Sequence, residues 1–163
     1  MAKTIIQIGF GEKDLDRAIS ELEQFKQAFL VKCQKLVERL TDHGVDVARV
    51  QVAQLNAVYT GELMNSIEGY FSPTYGVGII KAGATYAAYV EFGTGVVGAQ
   101  SPHPAPMGWV YDANAHGEKG WVYYNDDIGA YRRTKGFKSR PFMYQTAREL
   151  ERSCERIARE VFG

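Results

Sequence analysis

The feature of this sequence that most constrains its fold is a long stretch of helical periodicity close to the beginning of the chain. It runs from Asp14 to about Leu40, and its first turns carry four acidic side chains that complement the positive end of a helix dipole. At ~1.5 Å per residue such a helix is about 40 Å long, which exceeds the width of a small domain. We therefore expect it to brace a sheet along its length or to project toward another subunit. Its apolar positions are Leu15, Ile19, Leu22, Phe25, Phe29, Cys33, Leu36, Val37 and Leu40.

The segments on either side of this stretch have shorter patterns. KTIIQIGF, residues 3–10, has the β-branched residues and the glycine boundary of a strand. Gly44 is expected to interrupt the long helix. Beyond it, VDVARVQVAQLNA fits both a helical and an alternating spacing, and we favour a second helical piece over a strand.

The middle and the end of the chain contain a predicted hairpin and further helices. SIEGYFS and GVGIIKAG, separated by Pro73 to Gly76, predict two antiparallel strands, and Thr60 is a candidate N-cap for a single helical turn before them. YAAYVEFG has roughly helical spacing and ends at Gly93. The last helix is expected to hold Pro141 in its first turn. Its apolar seam is Met143, Ala147, Leu150, Cys154, Ile157 and Val161.

The composition favours one domain without a dominant charge. Of the 163 residues, 45% are apolar, which suffices for one core. The 19 basic and 19 acidic side chains balance, which argues against nonspecific binding to nucleic acid or to an anionic membrane. Their distribution is uneven, since residues 1–130 have a net charge of −5 and residues 131–163 one of +5. Internal pairing is the simpler explanation, and head-to-tail contact between copies is the alternative.

The cysteines and the N-terminus indicate a cytoplasmic chain. Cys33 and Cys154 lie far apart in helical stretches and are expected to be reduced core residues. No apolar run approaches the ~18 residues of a membrane span, and the N-terminus lacks the pattern of a cleavable leader. We therefore expect the protein to be made and kept in the cytoplasm, without membrane contact.

The glycine-rich stretch VEFGTGVVGAQSPHPAP, residues 90–106, has the spacing G-x-G-x-x-G of a dinucleotide cradle. Such a cradle needs a strand before it and a helix after it, whose free N–H groups face the phosphate. Here prolines follow, which supply no donors and oppose a helix. We therefore expect Gly93, Gly95 and Gly98 to form a turn that ends one helix and opens a mobile loop, with no cofactor bound. The prolines are Pro102, Pro104 and Pro106.

Several polar residues are candidates for chemistry, although no catalytic residue and no metal ligand is assigned. His103, Asp112, His116 and Glu118 share the long loop, but their spacing matches no standard metal site. We prefer a solvated loop and keep a metal-dependent hydrolase as a minor alternative. Glu91 lies in a short apolar segment and is either a perturbed carboxylate or a partly buried acid paired with an Arg or with backbone N–H groups. We favour the paired acid, and we expect the protein not to be an enzyme.

The segment from residue 94 to about 138 is too long for a structureless loop in a compact domain, so we expect it to act at the surface. Within it, GWVYYND and AYRRT predict a hairpin around NDDIG. Basic residues from 132 to 140 beside aromatic ones are typical of a single-strand nucleic-acid patch or of a protein contact. The aromatic residues either cover the hairpin's own face or anchor an interface. The candidate interface residues are Trp109, Tyr111, Trp121, Tyr123, Arg132 and Arg133.

Three fragments in order, TGELMNSI (60–67), YAAYVEFGTG (86–95) and SRPFMYQTA (139–147), carry a family resemblance. Framed by the long first helix and the final helix, they resemble the tail-component family of long-tailed double-stranded DNA phages, which are small neck or tail-completion proteins. The resemblance spans the chain from about residue 12 to the C-terminus. The sequence departs from the family in having AVYTG, without the proline that often precedes Thr-Gly, and in its longer segment from residue 98 to 138.

The resemblance implies a virion structural protein, located in the neck or tail and in the host cytoplasm during assembly. Copies of similar proteins form a ring, of six subunits, in the connector or at the head-proximal end of the tail. The implied partners are further copies and other neck, connector or major tail proteins, with DNA only as passing cargo and no small-molecule substrate. The implied framework positions are Thr60, Gly61, Leu63, Tyr86, Tyr89, Glu91, Phe92, Gly93, Pro141 and Phe142.

The expected architecture is a single α+β domain over residues 1–163. A small antiparallel sheet packs against the long N-terminal helix and the C-terminal helix, with a loop or hairpin inserted at about 94–138. The expected function is a ring that joins or terminates the tail at the head–tail interface. The alternative is a cytosolic nucleic-acid-binding module that uses residues 132–140.

Overall fold

A computed structural model describes residues 11–57, 61–126 and 128–163 of the chain. The strand expected at residues 3–10 and the cap expected at Thr60 lie outside these ranges. Within them the fold is α+β, as predicted, with a long N-terminal helix, two antiparallel pairs of strands and a C-terminal helix. No helix in the described ranges is long and apolar enough to cross a membrane.

The first helix, α1, spans Glu12–Gln54 without a break. Its 43 residues make it about 64 Å long. The interruption expected at Gly44 is therefore wrong, whereas the helix favoured after it is confirmed. Gly44 is buried, and a Cβ atom there would collide with the side chains of Ile80 and Leu150. Glycine at this position allows close packing from two sides, which offsets its cost of about 1 kcal/mol relative to alanine in a helix.

The predicted hairpin is confirmed and lies on α1. After a single-turn helix α2, Glu62–Asn65, strand β1 (Ile67–Ser72) pairs antiparallel with β2 (Val77–Ala82). The inner face of this pair approaches α1 at Thr41, whose side chain fits against glycines on both strands. The outer face exposes Tyr70 and Ile79, which lie opposite each other in the register.

The last helix, α5, spans Phe142–Phe162 and runs antiparallel to α1. Because its C-terminal end reaches only the level of Phe29, whose ring lies 5.7 Å from that of Phe162, the first part of α1 extends beyond it. Three further contacts fix the direction: Lys32 with the carbonyl of Phe162, Arg39 with Glu160, and His43 with Ser153.

The buried face of α5 differs from the predicted apolar seam. Cys154 of that seam is exposed and Cys33 on α1 is half-buried, so the expectation that both are core residues is wrong. Polar residues occupy buried positions instead because they are hydrogen-bonded. Thr146, for example, donates its hydroxyl to the carbonyl of Phe142 at 2.7 Å. The buried residues of α5 are Phe142, Thr146, Ser153 and Ile157.

The hydrophobic core lies where the C-terminal half of α1 meets α2, β1, the short helix α3 (Ala87–Phe92) and the start of α5. The helix predicted before Gly93 is thus confirmed, with Gly93 as its C-cap. The buried core residues are Ala48, Val52, Ala57, Leu63, Ile67, Ala84, Ala87, Val90 and Phe142.

The segment from residue 94 to 138 is more regular than expected. It contains helix α4 (Gly95–Gln100), a 3₁₀ turn at Gly117–Lys119, strands β3 (Trp121–Asn125) and β4 (Ala130–Thr134), and a short strand β5 (Gly136–Phe137). The predicted hairpin is confirmed as β3–β4. The expectation that the glycine-rich stretch avoids a helix is wrong, because the prolines follow only after α4 has ended.

Candidate functional site

Glu91, on α3, is a buried carboxylate that caps the N-terminus of α5. The residue as a whole is 7% exposed. The backbone N–H groups of Met143 and Tyr144 donate to its two oxygens at 2.8 and 2.9 Å. The N-cap residue of α5 is Pro141, which has no side-chain acceptor of its own. A carboxylate from a helix some fifty residues earlier therefore satisfies these donors and complements the helix dipole.

His103 completes this Glu91 cap. Its Nε2 lies 3.0 Å from Oε1 of Glu91, and since a carboxylate only accepts hydrogen bonds, Nε2 carries the proton. The ring packs on Phe92, with centroids 4.6 Å apart, and against the edge of Tyr144. The favoured interpretation of Glu91 as a paired acid is thus confirmed, with backbone N–H groups as partners. This arrangement holds α3, the loop that contains His103 and the start of α5 together. Its role is structural, because both oxygens of the Glu91 carboxylate already accept hydrogen bonds.

The glycines of the G-x-G-x-x-G stretch serve close backbone packing. A Cβ atom on Gly93 would lie 2.6 Å from the backbone nitrogen of Ser139, and one on Gly98 would lie 2.9 Å from a side-chain carbon of Tyr111. Gly95 faces the backbone of Lys135 in the same way. A dinucleotide cradle is preceded by a β-strand, whereas this stretch is preceded by helix α3.

An aromatic cavity of about 970 Å³ opens beside the Glu91 cap. Trp109 forms one wall, stacking on Phe92 at 4.9 Å between centroids and donating its indole N–H to the carbonyl of Gly93 at 3.0 Å. This packing corrects the favoured view that Trp109 covers the predicted hairpin. Other lining residues are Asn56, Ala57, Tyr86, Tyr89, Tyr111 and Trp121.

Two polar groups at this cavity are buried without a hydrogen-bond partner in the described part of the chain, namely Oγ1 of Thr94 and Nε of Arg140. The Arg140 guanidinium lies over the ring of Phe137, 5.9 Å from its centroid. Both side chains line the cavity. The cavity therefore combines aromatic walls with polar and charged side chains, among them Arg140, Glu62 and Asp112.

The loop residues considered as metal ligands form three separate polar pairs, one of which joins Glu118 to Lys135 at 3.6 Å. His103 belongs to the Glu91 cap, while His116 lies 3.3 Å from a carboxylate oxygen of Asp112. The N–H groups of Gly117 and His116 donate to Asp112, and these hydrogen bonds lower the pKa of its carboxyl group. Among the described residues no group of three or more His, Cys, Asp or Glu side chains is arranged to hold a metal ion.

The β3–β4 hairpin extends from this region with both faces rich in exposed side chains. The register places Tyr123 opposite Arg132 on one face, and Val122 opposite Arg133 on the other. Tyr124 and Tyr131 pair next to the second of these couples, with ring centroids 5.3 Å apart. Arg132 and Arg133 are exposed and form no ion pair within the described ranges.

The candidate interface residues thus divide into two groups. Tyr123, Arg132 and Arg133 are exposed on the hairpin, whereas Trp109, Tyr111 and Trp121 are partly buried in the wall of the cavity. Trp121 at the hairpin base stacks on His116 at 4.9 Å between centroids.

Of the framework residues implied by the resemblance, Thr60 lies outside the described ranges, and several others lie in the core or at the Glu91 cap. Leu63 and Phe142 are buried in the core, and Gly61, with a φ of 80°, is the N-cap of α2. Tyr86 precedes α3, and Tyr89 packs edge-on against Trp109 at 5.7 Å.

Sequence reasoning missed two features. The pairing of His103 with Glu91 was not foreseen, and the only sequence signal for it was a histidine placed between prolines in a loop. The second is which turns of α1 are exposed, because its apolar stripe fits both a brace for a sheet and a projection toward another subunit. The high exposure of Leu15, Ile19, Leu22 and Phe25 is visible only in the structure.

Comparison of the chain with protein-family models, with curated proteins and with solved structures gives no match.

Proposed function

We propose that this protein is a structural subunit of a phage virion, which assembles as a ring in the neck or tail-completion region. The ring joins or terminates the tail at the head–tail interface, and its hexameric form is part of the proposal. The proposal rests on the resemblance of three fragments to the tail-component family.

The observation that carries it is the convergence of these fragments on one structural unit. Leu63, Val90 and Phe142 come from the first, second and third fragment and are buried in the same core. Glu91 of the second fragment caps the helix that the third fragment begins. Fragments separated by up to eighty residues thus form one framework, as a shared fold requires.

Exposed apolar surface also supports an assembling subunit. Large side chains are at least 40% exposed on the first part of α1, on the outer face of β1–β2 and on β3–β4. Isolated proteins rarely expose several such patches, and patches of this kind mark interfaces.

The proposed function is tested by shortening only the hairpin. Replacing residues 122–133 with a short Gly-Ser turn leaves α4, β5 and the Glu91 cap intact, so the subunit should still fold. Phage assembled with this variant should yield filled heads and separate tails in electron micrographs, because the ring loses a contact surface. Normal virions from a phage that lacks the whole gene would contradict the proposal itself.

A second candidate, a nucleic-acid-binding module, is favoured by one observation. The hairpin presents Arg132 and Arg133, which form no ion pair among the described residues, beside exposed Tyr123, Tyr124 and Tyr131. This combination suits stacking and phosphate contacts with a single strand. A gel shift with single-stranded DNA at low salt tests it. A shift that weakens steeply with salt and is lost in an Arg132→Ala, Arg133→Ala variant would favour this candidate. No shift at low salt would end it.

A further inference from the structure

The first four to five turns of α1, residues 12–28, form a projecting tip. α5 reaches only to Phe29, so the tip extends about 25 Å beyond the last contact between the two helices. Every side chain in the tip is exposed except Asp14 and Ala18. One side of it carries an apolar stripe that is about half-exposed, consisting of Leu15, Ile19, Leu22 and Phe25.

The β3–β4 hairpin lies at the opposite end of α1. Its base residue Trp121 lines the same cavity as Asn56 and Ala57, which follow the C-terminal end of α1. Leu22 on the tip and Gln54 at the end of α1 are about 48 Å apart along the helix axis. Two exposed apolar surfaces at opposite ends cannot meet within one copy, but they can meet between copies.

The hairpin face with the greatest apolar exposure consists of Val122, Tyr124 and Tyr131, with Arg133 beside Val122. The two strands of the hairpin contain two basic side chains and no acidic one, with acidic residues at 126 and 127 between them in the sequence, whereas residues 12–28 contain three basic and five acidic side chains. Glu21 and Glu23 flank the apolar stripe of the tip on its two sides. The two surfaces are therefore apolar in the centre and opposite in charge at the rim, as complementary interfaces are.

We infer that the tip of α1 in one copy docks on the Val122–Tyr124–Tyr131 face of the hairpin in the next copy. The apolar stripe packs on this face and the flanking glutamates meet Arg133. The contact is heterologous, since each copy uses a different surface at each end, and heterologous contacts close into rings when the rotation between copies allows it. The inference rests on the proposed ring and names the two surfaces that form it.

Cross-linking between single-cysteine variants tests the contact. In a background with Cys33→Ala and Cys154→Ser, Leu22→Cys and Val122→Cys are made on separate full-length chains. Mixing the two and adding a short bismaleimide should give a cross-linked dimer, and neither variant alone should give one.

The mixture also distinguishes failure of the docking from failure of the ring. Cross-linking of Leu22→Cys alone, at the yield of the mixture, would show tip against tip and overturn the inference. No mixed product in a sample that sedimentation shows to be assembled would overturn the docking but leave the ring. A protein that sediments as a monomer at every concentration would contradict both.

Charge reversal provides a second measurement that keeps the fold intact. Arg133→Glu should weaken self-association about tenfold at low salt, and Glu23→Arg in the partner should restore it. Arg132→Glu, on the other face of the hairpin, is the matched control and should change association little. Equal effects of Arg132→Glu and Arg133→Glu would overturn the assignment of the face.

Discussion

At the scale of single residues, Glu91 connects the second and third of the fragments that carry the resemblance. Glu91→Gln should lower the free energy of unfolding by about 2 kcal/mol. In the variant, an amide N–H group replaces one carboxylate oxygen, so an N–H group of α5 or of His103 faces another donor instead of an acceptor. Urea denaturation measures this. Glu151→Gln, which breaks an exposed pair with Arg148, is the matched control and should cost less than about 0.5 kcal/mol. Equal midpoints for the two variants would contradict the role of Glu91.

Gly93 is constrained both by its dihedral angles and by its neighbours. Its φ of 81° and ψ of 173° lie in a region that is essentially restricted to glycine, and a Cβ atom would overlap backbone atoms near Ser139. Gly93→Ala should therefore cost about 3 kcal/mol or more. Gly76→Ala is the control, since Gly76 has a φ of 61° and open space around it, and it should cost about 1 kcal/mol. Thermal unfolding of both variants compares these costs.

Asp112 gives the fold a pH dependence. Because hydrogen bonds from the N–H groups of Gly117 and His116 lower its pKa in the folded state, its ionised form stabilises the loop at neutral pH. This contribution is lost as the pH falls through the lowered pKa, below 3.8. Asp112→Ala should melt at a lower temperature than the natural chain at pH 7, with a difference that shrinks on acidification. A difference in melting temperature that stays constant as the pH falls through the lowered pKa of Asp112 would contradict this.

At this scale the sequence predicted what kind of group would pair with Glu91, but not which residues supply it. A carboxylate between apolar neighbours indicated burial, and burial requires donors. The donors lie fifty residues further along the chain, at the start of α5, and no local pattern reports such a contact. The glycine-rich stretch shows the same limit, because its spacing is typical of a phosphate cradle while its surroundings are strand β5 and the loop after it.

At the scale of elements, α1 combines a packed half with an exposed half. Residues 41–52 contact the hairpin β1–β2 and α5, whereas the side chains of residues 12–28 are exposed except for Asp14 and Ala18. We expect amide hydrogens of the tip to exchange with solvent much faster than those of residues 41–52 in the unassembled protein, because local opening of the tip exposes little buried surface. Exchange followed by mass spectrometry measures this. Uniform protection along α1 would contradict it.

Elements with a strong local period were predictable, and their ends and faces were less so. The helical period located α1, α3 and α5, and turn residues located both hairpins. Gly44 misled the prediction because its effect depends on Ile80 and Leu150, which pack on α1 from elsewhere in the chain. The buried face of α5 was misjudged since Thr146 and Ser153 hide their hydroxyl groups in hydrogen bonds. Tertiary contacts of this kind override local patterns.

At the scale of the whole molecule, the uneven charge of the chain bears on the proposed assembly. Internal pairs account for part of it, such as Arg39 on α1 with Glu160 on α5. Within the tip Arg17 pairs with Asp14 and Glu21, whereas Glu23 and Arg133 form no ion pair in the part of the chain that the structure describes. The average mass in solution should therefore fall when salt is raised from about 0.05 to about 0.5 M, because screening weakens the rim contacts. Analytical ultracentrifugation measures this, and a mass that rises with salt would indicate purely apolar association.

The antiparallel pairing of α1 with α5 also delays folding during translation, because α1 cannot pack on α5 until α5 has been synthesised. The 87 residues between the two helices have to be translated before α5 begins, which takes about 4 to 17 s at bacterial rates. During this interval α1 is complete, but α5, which packs on it, has not been synthesised. The apolar face of α1 is therefore exposed to solvent. A nascent chain thus exposes more apolar surface before folding is complete than afterwards. Nascent chains that are close together on one messenger RNA are expected to associate through this surface.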